Sequence, residues 1–155
     1  MKILDDLKRT EREVLYYFSL NDTELQKKYG PNKWNIKQIL HHIADAESVL
    51  YDRIRRAISK PGQMVWGFDQ DAWCDGLDYN NMPLQISLDQ FVSIRKAVYH
   101  LAEQLYLSHG ANFYIHNETG NRTLKEEFDK VVWHADHHMI QINKALNKNN
   151  DNPQN

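Results

Sequence analysis

Apolar residues recur every three or four positions along four stretches of this chain, and each stretch predicts an amphipathic helix. The first runs from Ile3 to Phe18, with Ile3, Leu4, Leu7, Val14, Leu15 and Phe18 on one face and Lys8, Arg9, Glu11, Arg12 and Glu13 between them. Asn21-Asp22 interrupts it, Thr23 to Tyr29 continues it as a short turn, and Gly30-Pro31 ends it, because proline disfavours helical geometry at the residue before it. The second opens at Asn35, with Gln38 at the capping-box position and Trp34 and Ile39 at the hydrophobic-staple positions. Its stripe of Ile36, Ile39, Leu40, Ile43, Leu50, Ile54 and Ala57 continues to about Lys60.

The third stretch carries a capping pattern at Ser87-Leu88-Asp89-Gln90, then Phe91, Val92, Val98, Tyr99 and Ala102, and stops at His109-Gly110. The fourth starts at the capping box Thr123-Leu124-Lys125-Glu126 and runs through Phe128, Val131, Ala135, His138, Ile142 and Leu146. Two long links separate these helices. Gly62 to Met82 is rich in aromatics and carboxylates, with a short helix expected near Asp69 to Cys74, and its aromatics either wall a pocket or cover the end of a bundle. Phe113 to Asn121 reads as a turn-rich loop. The pattern predicts an all-α four-helix bundle with long crossover loops, a single domain over residues 1–147 and a polar, frayed tail over 148–155.

Composition narrows the function. The chain has 155 residues, enough to bury one hydrophobic core without disulfides. Its 19 basic and 21 acidic side chains nearly balance, and no basic block is interleaved with aromatics, so nucleic acid is not expected as a partner. No apolar run reaches membrane-spanning length and no signal-peptide core is present, so no membrane partner is expected. Cys74 is the only cysteine, which excludes an internal disulfide and a thiolate metal site and suits a reducing, cytoplasmic setting.

Three histidines within Trp133-His134-Ala135-Asp136-His137-His138-Met139 change the picture. At about 100° per residue His134 and His138 flank the apolar stripe of the fourth helix, whereas His137 points about 100° away. Residues four apart on a helix have Cβ atoms about 5 to 6 Å apart, so two imidazoles can share one ion but leave its coordination incomplete. A third ligand must come from elsewhere. On the second helix His42 lies at the border of the stripe and His41 faces away from it, so His42 is the candidate.

Other polar residues nearby are less decisive. Asp45, one turn beyond His42, could bind the metal, orient a ligand or simply face solvent. Glu47 falls inside the apolar stripe and therefore needs a partner; it reads first as a structural hydrogen bonder and second as a catalytic base. His116 could hang over a site from its loop. These three are the weak catalytic candidates, and no residue is singled out among them.

Taken together, Lys33-Trp34-Asn35-Ile36-Lys37-Gln38-Ile39 leading into His42-Ile43-Ala44-Asp45, Gly67-Phe68-Asp69-Gln70-Asp71-Ala72-Trp73, His116-Asn117-Glu118-Thr119-Gly120 and Trp133-His134 through His138-Met139-Ile140-Gln141-Ile142 resemble the DinB-like superfamily. The likeness spans nearly the whole chain and is closest to the branch of bacterial thiol-dependent S-transferases and proteins labelled metal-dependent hydrolases. It implies a four-helix bundle with one divalent ion, zinc or nickel, on His42, His134 and His138. It also implies a small-molecule substrate, with a low-molecular-weight thiol as possible co-substrate and thiol transfer preferred over hydrolysis. A non-catalytic metal-binding or interaction bundle, docking through exposed aromatics such as Trp133, is the third reading, and a homodimer is compatible with all three.

Overall fold

A computed structural model describes residues 1–147, and the expected frayed tail at 148–155 lies outside the described residues. Four long helices form the bundle: α1 (Lys2–Phe18), α3 (Ile36–Ser59), α5 (Leu84–Leu105) and α6 (Leu124–Ala145). Between α1 and α3 lies α2 (Asp22–Leu25), and α4 (Gln70–Gly76) lies in the first long link. The helix α3 packs against α5 and α6, and α1 packs against the same two from the other side. This arrangement makes α3 and α6 neighbours, which is what the histidine hypothesis requires.

Local signals fix where the helices begin. The Asn35 side chain accepts from the Gln38 amide at 2.8 Å, and the Gln38 side chain accepts from the Asn35 amide at 2.9 Å, so the orphan N–H groups at the start of α3 are satisfied reciprocally. Thr123 and Glu126 do the same for α6. Asp69 caps α4 by accepting from the amides of Asp71 and Ala72. The segment after α1 is no continuation of it: Asn21 and Glu24 form a capping box of their own and start α2.

The expected start of the third long helix was displaced. Its first turn begins at Leu84, directly after Pro83, so Ser87 lies one turn inside α5 and is buried rather than capping. Proline is tolerated at a helix start because no intrahelical partner waits for an N–H there. The helix ends at Leu105, short of His109.

A small sheet also appears where loops were expected. Strand β1 (Met64–Val65) runs parallel to β2 (Phe113–His116), which pairs antiparallel with β3 (Gly120–Thr123). Tyr114 and His116 point inward from β2, the alternation of a half-covered strand. Gly120 closes the hairpin at φ 73°, a left-handed conformation that suits glycine. The sheet covers the bundle near α3 and α6, and the core itself is helical. Among the described residues no helix is long and apolar enough to cross a membrane.

Two apolar clusters fill the bundle. One gathers Val14, Phe18, Ile39, Ile43, Phe91 and Ile142, and the other Leu7, Leu50, Ile54, Val98, Phe128 and Val131. Glu47 and Arg95 lie between them in sequence on α3 and α5, 2 % and 1 % exposed, and join the two helices by paired contacts of 2.6 and 2.9 Å. Arg95 Nη1 also donates to Leu7 O at 3.0 Å and Thr10 Oγ1 at 2.7 Å, bringing in α1.

Candidate metal centre

Helix register brings His42 of α3 against His134 and His138 of α6. Their ring centroids stand 5.0 Å (42 to 134), 4.7 Å (42 to 138) and 4.5 Å (134 to 138) apart. One ligand nitrogen from each can be chosen so that all three lie within 4.8 Å of one another. His42 Nε2 faces His134 Nε2 at 3.1 Å. Two nitrogens bound at about 2.0 to 2.1 Å to one tetrahedral ion stand about 3.3 to 3.4 Å apart, so the observed spacing fits a shared cation.

The surroundings keep these rings neutral. Burial is the main cause pulling His42 down to about 3, with His138 adding to it. Burial likewise takes His138 down to about 4, against the opposing effect of its bond to Gln141. His134 is held well below its ordinary value by burial first, then by His138, His42 and Lys130. Neutral imidazoles are the ligand form, so at neutral pH no proton has to leave before an ion binds.

Orientation comes from partners on the same and neighbouring elements. His138 Nδ1 lies 2.8 Å from Gln141 Oε1, and an acceptor there puts the proton on Nδ1 and the lone pair on Nε2. The His42 ring is held between Trp34, at 5.1 Å, and Phe68, nearly parallel at 5.9 Å, and Trp73 backs Phe68 at 4.9 Å. Aromatics of the first long link therefore wall the cluster. Trp66, by contrast, is largely exposed.

The link is docked on the hairpin turn by a close approach. The Gly67 amide donates to Asn117 Oδ1 at 2.7 Å, and a Cβ at Gly67 would stand 2.9 Å from the Glu118 carboxylate oxygens. A side chain there would have to displace the Glu118 carboxylate, and Phe68 follows immediately. Beside the cluster a polar cleft of about 210 Å³ reaches His138 and Gln141, with Trp34, Lys33, Gln70 and Asp71 among its walls. Among the described residues the donor cluster contains three side chains, with the cleft adjoining.

The remaining candidates fall elsewhere. Asp45 is not in the cluster: Tyr79 donates to its Oδ2 at 2.5 Å and Gln90 to its Oδ1 at 3.2 Å, which commits both oxygens. Glu47 is the structural partner its position required, locked to Arg95 and unavailable as a base. His116 lies on β2, outside the donor cluster, and its Nδ1 accepts from the Glu118 amide at 3.2 Å. His41 faces away from the stripe yet is fully buried, because Ser87 Oγ meets its Nδ1 at 2.7 Å and Tyr79 covers its ring at 5.1 Å. His137 is exposed and stacks on Trp133 at 5.3 Å. Sequence reasoning did not single out Gln141 or Asp71; for Gln141 the three-residue spacing from His138 was an available signal.

Comparison with known proteins fits this picture. A protein of Oceanobacillus iheyensis that bears the name "Putative metal-dependent hydrolase" is 32% identical over 131 residues, covering 84% of this chain and 75% of that protein. A second from the same organism, with the same name, is 27% identical over 139 residues, covering 90% and 79%. Among solved structures, YfiT from Bacillus subtilis, described as a probable metal-dependent hydrolase with an unusual four-helix bundle topology, superposes with a TM-score of 0.82. It shares 21% identity and the match covers 94% of this chain and 83% of that one, which establishes the common fold. The family model described as the DinB superfamily matches residues 6–142, and the chain belongs to that superfamily.

Proposed function

We propose that this protein is a divalent-metal-dependent enzyme acting on a small polar molecule, with His42, His134 and His138 as ligands and hydrolysis as its reaction. The observation that carries the reading is the convergence of three neutral imidazoles from two helices beside a cleft. Three-nitrogen sets of this kind suit zinc or nickel and leave a coordination position for a reactant. A bound ion supplies Lewis acidity and lowers the pKa of a protic nucleophile that reaches it. The names of the relatives support hydrolysis in particular.

The chain's own residues have definite parts in this scheme. Gln141 holds His138 with its Nε2 toward the cluster, and Phe68 and Trp34 exclude bulk water from the His42 side. Asp45 and Glu47 are tied to Tyr79, Gln90 and Arg95, which leaves Asp71, a carboxylate lining the cleft, as the candidate proton acceptor.

One observation favours a second reading, thiol transfer. An ion held by the three histidines would lower the pKa of a thiol, so thiol transfer would not need a carboxylate on α3, where both are committed. The two readings separate in one experiment on zinc-loaded protein, offered a panel of small esters and amides and, in parallel, monochlorobimane with cellular thiols. Ester or amide turnover lost in His138→Ala and lowered in Asp71→Asn is the expected result. Conjugation above the thiol-only rate with no ester turnover would select transfer, and neither activity would leave a metal-binding bundle without catalysis.

A further inference from the structure

A second cleft, of about 470 Å³, opens beside the N-terminal half of α6 and is lined by Tyr114, His116, Arg122, Glu127, Lys130 and Trp133 among others. Lys130 stands one helical turn before His134, about 6 Å along the axis, and its charge is one of those depressing the His134 pKa. The cleft thus lies one turn of α6 from His134. What distinguishes it is how its charges are satisfied.

The acids around it have partners of their own. Glu127 accepts from Tyr114 through Oε2 and faces Arg53 at 3.7 Å through an Oε1 that has no hydrogen bond, Glu126 is committed to the Thr123 cap, and Asp129 accepts from Tyr106 at 2.8 Å. Lys130 is half-buried and makes no hydrogen bond or ion pair within contact distance among the described residues. Burial is the main cause pulling its pKa down, and the nearby Glu127 charge opposes that without a contact-distance ion pair.

His116 adds a second donor. It is 5 % exposed, and because its Nδ1 accepts from the Glu118 amide, its proton sits on Nε2. Arg53 and Arg122 raise the positive potential around it, and Glu118 opposes them. An exposed indole, Trp133, forms an apolar wall.

We propose that this cleft seats the carboxylate of a small organic molecule, with Lys130 and Nε2 of His116 as its donors and Trp133 as the apolar wall. On the reading of the preceding section, on which this part rests, the seated end is the non-reacting end of the substrate.

Benzoate and benzamide, alike in shape and different in charge, test the seat directly through the Trp133 indole resonance of the 15N-labelled protein. Benzoate should shift that resonance saturably with and without zinc, and benzamide should not. Lys130→Met, which keeps the stem and removes the charge, should weaken benzoate at least tenfold, while Lys130→Arg should retain it. Equal binding of benzamide, wild-type affinity in Lys130→Met, or a shift seen only with zinc would overturn the proposal. Benzoate seated in a protein that takes up no zinc would uphold it and remove the metal reading alone.

Discussion

Two polar clusters cross this bundle, and they are finished in opposite ways. Around Arg95 the fork meets both oxygens of Glu47, and the two N–H groups of Nη1 serve Leu7 O and Thr10 Oγ1. Charges cancel and hydrogen bonds close. Around His134 the nitrogens face one another at 3.1 Å, the rings are neutral, and His42 Nδ1 is buried without a hydrogen-bond partner. The first cluster needs nothing from outside the chain; the second presents converging nitrogens that one cation would share. A buried polar group thus marks scaffold when its valences close within the protein and marks a site when lone pairs converge.

The largest effect is expected from breaking the closed cluster. Glu47→Ala leaves the Arg95 charge buried with half its partners, and removing one member of such a pair costs about 3 to 5 kcal/mol. Replacing both, as Glu47→Met with Arg95→Met, should recover most of that loss, because the desolvation cost goes with the charges. Urea unfolding of the two variants measures the difference. A single mutant as stable as wild type would show that the pair is not holding α3 to α5.

The open cluster should answer to metal instead. Zinc at about a hundred times its dissociation constant should stabilise the wild type by about 2.7 kcal/mol. In His134→Ala or His138→Ala that gain should vanish, and elemental analysis should find no equimolar ion. Equimolar zinc retained in both variants would place the ion elsewhere.

How much of this contrast was legible in the chain follows from what each signal measures. Helical periodicity located all four long helices, and the same wheel placed Glu47 in the stripe and His42 beside it, because both properties depend on angle about one axis. The hairpin was missed: Phe113-Tyr114-Ile115-His116 has strand-forming composition over only four residues, and its pairing with Met64–Val65 spans about fifty positions of sequence. Ser87 imitated a cap because capping patterns are local, whereas Pro83 and a buried contact with His41 decided where α5 begins. The wheel put His41 away from the core face, but it could not see Tyr79 arriving from the link to cover it. Asp45 failed as a ligand for the same reason, being claimed by Tyr79 and Gln90 from other elements.

Acid provides a sharper test of the same contrast, through the sign of the pH dependence. His41 and His138 are held down to about 4 and His42 to about 3, chiefly by burial, against an ordinary value of 6.5. Above about 6.5 neither state binds these protons, and their contribution to stability is level. Below it the unfolded chain takes up protons that the folded one refuses, so stability falls as pH drops from 6.5 toward about 4. Urea midpoints of the metal-free protein across that window should decline. His42→Phe, which fills the same aromatic nest without a titrating group, should flatten part of the decline. An unchanged slope in that variant would assign the acid sensitivity to groups outside the cluster.

The finest distinction concerns Gln141, which belongs to the open cluster without being one of its three nitrogen donors. Its Oε1 meets His138 Nδ1 at 2.8 Å while its Nε2 lies 3.4 Å from His137 Nε2, so one carboxamide fixes the ring that presents Nε2 and leans on the Trp133 stack. Removing such an orienting partner typically weakens metal binding by about 10 to 100-fold, smaller than the loss of a ligand. Gln141→Ala should show that loss in competition with a chelating dye, with unfolding of the metal-free protein little changed because the side chain is only half-buried. Gln141→Glu, which keeps an acceptor at the same reach, should restore most of the affinity. If Gln141→Ala binds zinc as tightly as wild type, helix packing alone orients His138, and the open cluster is as rigid as the closed one.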